Sequence, residues 1–173
     1  MSETEEKMER ITILGPSGSG KSTLARELGH ILKVPVVHLD TLFFKPNWEE
    51  IPKLEFLKKV ETIISTEENW IIEGNYTITW DVRFQHSTSI LFLDYPRRIY
   101  FWRVIKRLIM YRGKTRPDAA VGCVEKLDFE FLKFVWSYPK RRKETISRLE
   151  KEQGNILIFK SPKETAKFIQ QLK

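Results

Sequence analysis

Short apolar runs alternate with longer amphipathic stretches along most of the chain. Five runs are short enough, and rich enough in β-branched or aromatic residues, to be buried strands: residues 11–14, 36–39, 70–72, 90–93 and 156–159. Apolar residues recur at helical spacing in the stretches between them: residues 21–32, 54–65, 97–111, from about 128 with a break near Pro139, and after Ser161-Pro162. Strands that alternate with helices predict an α/β fold with an open parallel sheet and helices on both faces.

A glycine-rich motif follows the first predicted strand directly. Residues 15–22 read Gly-Pro-Ser-Gly-Ser-Gly-Lys-Ser, the spacing of glycines, lysine and serine that binds nucleotide phosphates. The glycines let backbone N–H groups turn toward phosphate oxygens, Lys21 bridges the outer phosphates, and the Ser22 hydroxyl is a ligand for Mg²⁺. We therefore predict an ATP site with the following contacts: Gly15, Pro16, Ser17, Gly18, Ser19, Gly20, Lys21, Ser22 and Thr23.

Three carboxylates come at the ends of predicted strands. Asp40 follows the second strand, Glu73 the third and Asp94 the fourth. Parallel strands bring their carboxyl ends to one edge of the sheet, where ligands of open α/β sheets collect. Any of the three is therefore a candidate to hold Mg²⁺ beside Ser22, and the sequence does not rank them.

Positive charge is concentrated in one segment. The chain carries a net charge of +7, and residues 95–117 contain no acidic residue but eight basic ones: Arg97, Arg98, Arg103, Lys106, Arg107, Arg112, Lys114 and Arg116. One basic segment suits the grip of a small polyanion, although a nucleic-acid patch has the same appearance. Direct binding of nucleic acid therefore stays open but is not favoured.

The basic helix within this segment predicts a phosphate-binding face. Arg103 and Arg107 are four residues apart and share one face, opposite a stripe that we expect to pack inward: Trp102, Ile105 and Ile109. Arg112 and Arg116 follow in a loop marked by glycine and proline. Phosphoryl transfer needs charge stabilisation and exclusion of water, which a mobile basic loop supplies.

Candidate acceptor-binding residues follow two of the strand ends. Asn75, Tyr76 and Arg83 come after Glu73, and Asp40 is the candidate to orient or deprotonate an acceptor hydroxyl. An aromatic group in the loop after Asp40 is a candidate pocket wall: Phe43, Phe44 and Trp48. His38 and Cys123 are expected to be structural.

The chain of 173 residues fits one domain, residues 1–173, with a flexible polar start over residues 1–9. No apolar run approaches the length of a membrane span, and the first residues lack the pattern of a secretion signal. A single cysteine fits a reducing compartment, so we expect a cytoplasmic protein. The oligomeric state stays open.

Four sequence blocks accompany the phosphate-binding motif: Val-Val-His-Leu-Asp at 36–40, Trp-Ile-Ile-Glu-Gly-Asn-Tyr at 70–76, Phe-Leu-Asp-Tyr-Pro-Arg at 92–97 and Tyr-Arg-Gly-Lys-Thr-Arg-Pro-Asp at 111–118. With them, the chain resembles the nucleoside monophosphate kinase-like branch of P-loop kinases. Within that branch it is most similar, over nearly its whole length, to the bacterial DNA topology modulation proteins. The resemblance implies a five-stranded parallel sheet of order 2-3-1-4-5 and a lid formed by residues 97–126.

The resemblance also implies roles for individual residues. By similarity to adenylate kinases, Glu73 falls where an aspartate holds Mg²⁺ through water, and Arg103 with Arg107 falls on the arginine pair that grips nucleotide phosphates. Arg141 or Arg142 supplies a further phosphate contact. Two departures from the adenylate kinase pattern, Glu73 itself and Asn75-Tyr76, mean that the acceptor need not be AMP.

These observations predict an ATP- and Mg²⁺-dependent phosphotransferase whose acceptor is a nucleotide, a nucleoside or a hydroxylated metabolite. Lys21 and the lid arginines would stabilise the transferred group; Arg83, Arg112 and Arg116 are candidates to bind the acceptor. The alternative is a nucleotide-binding regulator that acts on DNA topology or on a protein partner with little turnover.

Overall fold

The computed structural model describes residues 8–126 and 128–173. In chain order its elements are β1 Arg10–Leu14, α1 Lys21–Leu32, β2 Val36–His38, α2 Leu39–Phe43, β3 Phe44–Lys45, a 3₁₀ turn Pro46–Trp48, β4 Glu49–Glu50, α3 Lys53–Thr66, β5 Trp70–Glu73, a 3₁₀ turn Thr77–Thr79, α4 Trp80–His86, β6 Ser89–Leu93, α5 Arg97–Met110, α6 Phe129–Trp136, α7 Tyr138–Leu149, β7 Asn155–Phe159 and α8 Pro162–Gln171. Of the start predicted to be flexible, residues 1–7 lie outside the described part, whereas Met8 is buried.

The five predicted strands form one parallel sheet in the order β2-β5-β1-β6-β7. Counted along the chain among themselves, this is the expected order 2-3-1-4-5. The register places His38 beside Glu73 and Ile13 on the other side of Glu73. The carboxyl ends of β2, β5 and β1 therefore meet at one edge, directly before Asp40, Gly74 and the glycine-rich loop.

Helices cover both faces of the sheet, as predicted. Ile71 faces the side of α1 and α8, in a core with Leu28 and Ile169, whereas its neighbours Trp70 and Ile72 face α3. This alternation is the two-residue period of a strand, and β5 is buried along its whole length. The sheet is thus a rigid platform that fixes the positions of the loops at its carboxyl edge.

Helices α6 and α8 begin where the sequence indicates. The Asp128 side chain accepts hydrogen bonds from the backbone N–H groups of Glu130 and Phe131, and that of Ser161 accepts one from Glu164. Pro162 occupies the first turn of α8. The predicted break near Pro139 is confirmed, since α6 ends at Trp136 and α7 begins at Tyr138.

The rotation of α5 about its axis differs from the prediction. Its buried residues are Tyr100, Val104 and Leu108, whereas Trp102 is 66% and Ile109 72% exposed. The reason is the contact with the glycine-rich loop: a Cβ on Gly18 would lie 2.3 Å from the backbone oxygen of Tyr100, and Gly18 has φ +81°. The helix therefore packs directly on this loop, and only glycine fits at the contact.

Two further observations complete the fold. Residues 44–50 form a small antiparallel hairpin of β3 and β4 that the sequence pattern did not predict. No helix in residues 8–126 and 128–173 is long and apolar enough to cross a membrane.

The rotation of α5 can be tested with two adjacent residues. Leu108→Ala removes a buried side chain and should lower the free energy of unfolding by about 2–5 kcal/mol. Ile109→Ala removes a largely exposed one and should change it by less than about 0.5 kcal/mol. Chemical denaturation of both variants measures the difference; equal losses would contradict this rotation of the helix.

Candidate active site

The glycine-rich loop occupies the edge of the sheet between β1 and α1 and lines a cavity of about 1190 Å³. Gly15, Gly18 and Gly20 all have positive φ, which turns successive peptide groups and closes the loop around a Ser19 N–H to Pro16 C=O hydrogen bond of 3.1 Å. Seven of the nine predicted ATP contacts line the cavity: Gly15, Ser17, Gly18, Gly20, Lys21, Ser22 and Thr23. Pro16 and Ser19 contribute their backbone to the loop instead.

Lys21 is buried at the mouth of the loop. Its ammonium donates to the Pro16 carbonyl at 3.2 Å. Burial lowers the pKa of Lys21 and outweighs the nearby charges of Glu73 and Asp40, which raise it. An incoming phosphate would restore a counter-charge to this amine.

The Asn75 side chain holds the first residue of the loop. Its amide oxygen accepts from the Gly15 N–H at 3.0 Å, and its amide N–H₂ donates to the Gly15 carbonyl at 2.7 Å. We expected Asn75 to bind the acceptor, but both ends of its side chain are occupied by the backbone of Gly15. Its geometry is that of a clamp between the end of β5 and the phosphate-binding loop.

Of the three predicted carboxylates, Glu73 is the one that the structure brings to Ser22. The Ser22 hydroxyl donates to Glu73 Oε1 at 2.9 Å, and His38 Nδ1 lies 2.8 Å from the same oxygen. Burial would raise the pKa of Glu73, but the hydrogen bond from His38 and the charge of Lys21 hold that pKa below its usual value. Both partners therefore meet the same carboxylate oxygen, Oε1.

Asp40 stands across the cavity from the loop, at the start of α2. The Tyr76 hydroxyl donates to Asp40 Oδ1 at 2.7 Å, and Arg116 Nη2 lies 3.9 Å from Oδ2. Burial and the carboxylate of Glu73 raise the pKa of Asp40. Asp40 and Tyr76, both predicted to bind the acceptor, are therefore hydrogen-bonded to each other.

Asp94 is not part of this group. Its carboxylate accepts from Arg142 Nε at 2.5 Å and Nη2 at 2.7 Å, and from Lys160 Nζ at 2.5 Å. Asp94, Arg142 and Lys160 lie in a second, smaller depression, together with Tyr100 and Pro139. Burial would raise the pKa of Asp94, but the bonds from Arg142 and Lys160 lower it. Asp94 is thus separate from Ser22. Arg142, which we expected to contact phosphate, is instead bound to Asp94.

Two predicted acceptor arginines also lie elsewhere. Arg83 is fully buried and donates to the carbonyls of Gly74 at 3.0 Å and Tyr76 at 3.4 Å, so it supports the turn after β5 from behind. Burial lowers the pKa of Arg83 to about 9. Arg112 is exposed and is not among the described residues that line the cavity.

Two arginines of α5 reach the phosphate-binding loop itself. Arg103 Nη1 donates to the Ser19 carbonyl at 3.0 Å, and Arg107 Nη1 to the Ser17 hydroxyl at 3.4 Å. Since Gly18 packs on the same helix, α5 presents both guanidinium groups beside the backbone N–H groups of the loop. The two arginines predicted to grip phosphate therefore lie beside Ser17 and Ser19.

A covering loop, residues 111–126, folds back from α5 over the cavity. The Trp48 indole N–H donates to the Val124 carbonyl at 2.9 Å, and the Asn47 N–H donates to that of Gly122 at 3.1 Å. Cys123 is buried and its thiol donates to the Lys45 carbonyl at 3.1 Å, in line with a structural role. The covering loop thus rests on the hairpin of β3 and β4, and Arg116 enters the cavity from it.

Sequence reasoning missed three residues of the site. His38 was expected to be a core residue but contacts Glu73; its position two residues before Asp40, at a strand end, was the available signal. Asp118 and Glu125 flank Arg116 and line the cavity. No local sequence pattern indicates Glu125, because its partners Arg107 and Arg116 are distant from it along the chain.

No protein-family model matches the chain. It is 27% identical over 144 residues to a cytidylate kinase of Pyrobaculum arsenaticum, which covers 74% of this chain and 74% of that protein. It is 30% identical over 121 residues to a shikimate kinase of Clostridium botulinum (strain 657 / Type Ba4), or 64% of this chain and 71% of that protein. Its fold is similar to the crystal structure of a shikimate kinase from Bacteroides thetaiotaomicron, with a TM-score of 0.61 at 19% identity over 95% of this chain and 96% of that one.

The glycine-rich loop, the sheet order and the helices on both faces are those of a P-loop kinase fold. With the relative at 30% identity, the chain belongs to the family of small-molecule P-loop kinases that includes this shikimate kinase.

The clamp by Asn75 can be tested directly. Asn75→Ala leaves the Gly15 N–H and carbonyl without their partners and should lower the free energy of unfolding by about 1–3 kcal/mol. Affinity for ATP, measured by calorimetry, should fall as well. Thr62→Ala is the control, since it removes an exposed hydrogen bond within α3 and should change stability by less than about 0.5 kcal/mol. Equal stability of the two variants would contradict the clamp.

Proposed function

We propose that this kinase transfers the terminal phosphoryl group of ATP to a hydroxyl group of a small acceptor bound beside Asp40. The observation that carries the proposal is the placement of Asp40, held by Tyr76, across one cavity from Lys21 and the phosphate-binding loop. A carboxylate in this position suits a hydroxyl acceptor, which has a proton to lose; a phosphate acceptor needs no base. Nearly full-length resemblance to the DNA topology modulation proteins supports the narrower assignment to their branch.

The site residues have distinct tasks in this proposal. The backbone N–H groups of residues 16–22 and Lys21 hold the donor phosphates, and Arg103 with Arg107 balances the negative charge of the group in transit. Asp40 orients the acceptor hydroxyl and takes its proton. The acceptor oxygen forms a bond to the terminal phosphorus, while the bond from that phosphorus to the bridging oxygen breaks and leaves ADP.

The residues around Ser22 suit Mg²⁺. Within residues 8–126 and 128–173 no three His, Cys, Asp or Glu side chains form a ready-made metal cluster. Mg²⁺ with a nucleotide does not need one, because it keeps several waters and takes one or two protein oxygens besides the phosphates. Ser22 Oγ would hold the ion directly and Glu73 through water; the ion neutralises phosphate charge.

His38 acts on this site through Glu73 in our proposal. His38→Ala removes one of the two hydrogen bonds that orient Glu73 and should raise the Mg²⁺ concentration for half-maximal activity about 10–100-fold, with a smaller effect on kcat. His38→Gln keeps a donor and should recover part of the loss. A fall in kcat at unchanged Mg²⁺ dependence would argue against this role. Magnesium-dependent binding of a fluorescent ATP analogue gives a second readout without turnover.

The test of the function is a labelled-transfer assay. The protein is incubated with γ-labelled ATP, Mg²⁺ and pools of nucleotides, nucleosides and hydroxylated metabolites. A labelled product is expected that falls about 10²-fold or more in Lys21→Ala and in Asp40→Asn. Asp81→Asn, an exposed carboxylate paired with Arg148, is the control and should match the wild type.

The assay also separates the proposed kinase from the alternative of a nucleotide-binding regulator. ATP binding without transfer to any pool would overturn the proposal, as would transfer that survives in Asp40→Asn. A product formed only from phosphate-bearing acceptors would overturn the role of Asp40 as a base. In the first case the next search would be for DNA or protein partners.

A further inference from the structure

Arg116 is a buried cation beside Asp40, the carboxylate proposed to bind the acceptor hydroxyl. It is already surrounded by carboxylates of the protein itself. Its Nη1 lies 3.0 Å from Asp118 Oδ2, its Nε contacts Glu125 Oε1 directly, and its Nη2 lies 3.9 Å from Asp40. The Arg116 side chain is only 7% exposed. One guanidinium group therefore faces three acidic groups, and the local charge is negative before any acceptor enters.

The other cations that line the cavity are committed or peripheral. Lys21 and Arg107 serve the phosphate-binding loop, and Arg107 is also 3.6 Å from Glu125. Arg141 donates to the Phe134 carbonyl at 2.6 Å and to the Ser137 hydroxyl at 3.3 Å, with its guanidinium over the Phe134 ring. The remaining basic residues of the lining are exposed: Arg26, Lys53 and Lys126.

Acidic and basic residues are equal in number in the described lining of the cavity, seven of each, but three of the acidic groups converge on Arg116. Besides Asp40, Asp118 and Glu125, the acidic residues of the lining are Glu50, Glu73, Asp128 and Glu144. With the donor phosphates on Lys21 and Arg107, a carboxylate or phosphate on the acceptor would meet the carboxylates of Asp40, Asp118 and Glu125 around an Arg116 that they already neutralise. Binding such an anion would cost electrostatic free energy as well as desolvation.

Aromatic rings form the wall beside Asp40. Phe43 lies 4.9 Å from the ring of Tyr76 and 5.0 Å from that of Phe44, and Phe44 lies 5.3 Å from Trp48. All four rings line the cavity. Such a wall favours a ligand with a flat or apolar face, while Asp40 and Tyr76 supply the polar contact for its hydroxyl group.

We propose that the acceptor is an uncharged compound with a flat ring and a hydroxyl group, chemically a nucleoside, and not a nucleotide or a carboxylate. The inference rests on the proposed kinase function and adds the class of its substrate. It sets this chain apart from relatives that are named for shikimate and cytidylate, both of which are anions. Transfer then joins the nucleoside oxygen to the terminal phosphorus of ATP, releases ADP and passes the hydroxyl proton to Asp40.

Calorimetric binding of paired probes tests the proposal without turnover. The full chain, saturated with a non-hydrolysable ATP analogue and Mg²⁺, is titrated with cytidine against cytidine 5′-monophosphate, and with adenosine against adenosine 5′-monophosphate. We expect at least one nucleoside to bind, and to bind about tenfold or more tightly than its monophosphate. A monophosphate that binds as tightly as its nucleoside, or no binding by either nucleoside, would overturn the proposal.

A variant tests the cause of the discrimination. Glu125→Gln removes one of the charges that neutralise Arg116, so the preference for nucleoside over monophosphate should shrink about tenfold. Asp81→Asn removes an exposed charge outside the cavity lining and should leave the preference unchanged. Thermal unfolding of both variants establishes that they are folded. An unchanged preference in folded Glu125→Gln would overturn the proposed cause.

The transfer assay with the same probes distinguishes this inference from the function on which it rests. Selective nucleoside binding with no labelled product would overturn the kinase proposal and keep the ligand class. Labelled product from a monophosphate, with the nucleosides inert, would keep the kinase function and overturn this inference.

Discussion

The site depends on opposite charges that are buried together at the carboxyl edge of the sheet. Lys21 and Glu73 are both removed from water, and each shifts the pKa of the other toward its charged form. An isolated charge at this depth would be strongly destabilising, whereas a paired and hydrogen-bonded one is tolerated. His38 and Ser22 supply the hydrogen bonds, so the strand register that places His38 beside Glu73 is part of the chemistry.

The same edge explains why so many polar side chains serve the backbone. Asn75 holds Gly15, Arg83 holds the turn of residues 74–76, and Arg103 holds the carbonyl of Ser19. The carbonyls of Gly15, Gly74 and Ser19 that accept these bonds all lie in irregular segments between strands and helices. The loops around the cavity are therefore fixed by side chains from neighbouring loops, and the cavity keeps its shape because they hold one another.

Much of this could be predicted from the sequence, for physical reasons that differ from residue to residue. Strands buried on both faces appear as short apolar runs, and the phosphate-binding loop has a spacing that few other structures need. The rotation of α5 could not be predicted, because the helix carries large apolar residues on several faces and its contact with Gly18 decides which face is buried. The partners of Asn75, Arg83 and Arg116 could not be predicted either. A polar residue type indicates a hydrogen bond, but which distant group receives it depends on the assembled fold.

The attachment of the covering loop has a further consequence. Cys123 is the single cysteine of the chain, and its thiol lies buried between that loop and the carbonyl of Lys45. A thiol reagent can reach it only when the covering loop lifts from the hairpin, so the chemistry of alkylation is gated by that motion. At high reagent concentration, the rate of Cys123 alkylation therefore equals the rate at which the covering loop lifts and opens the cavity.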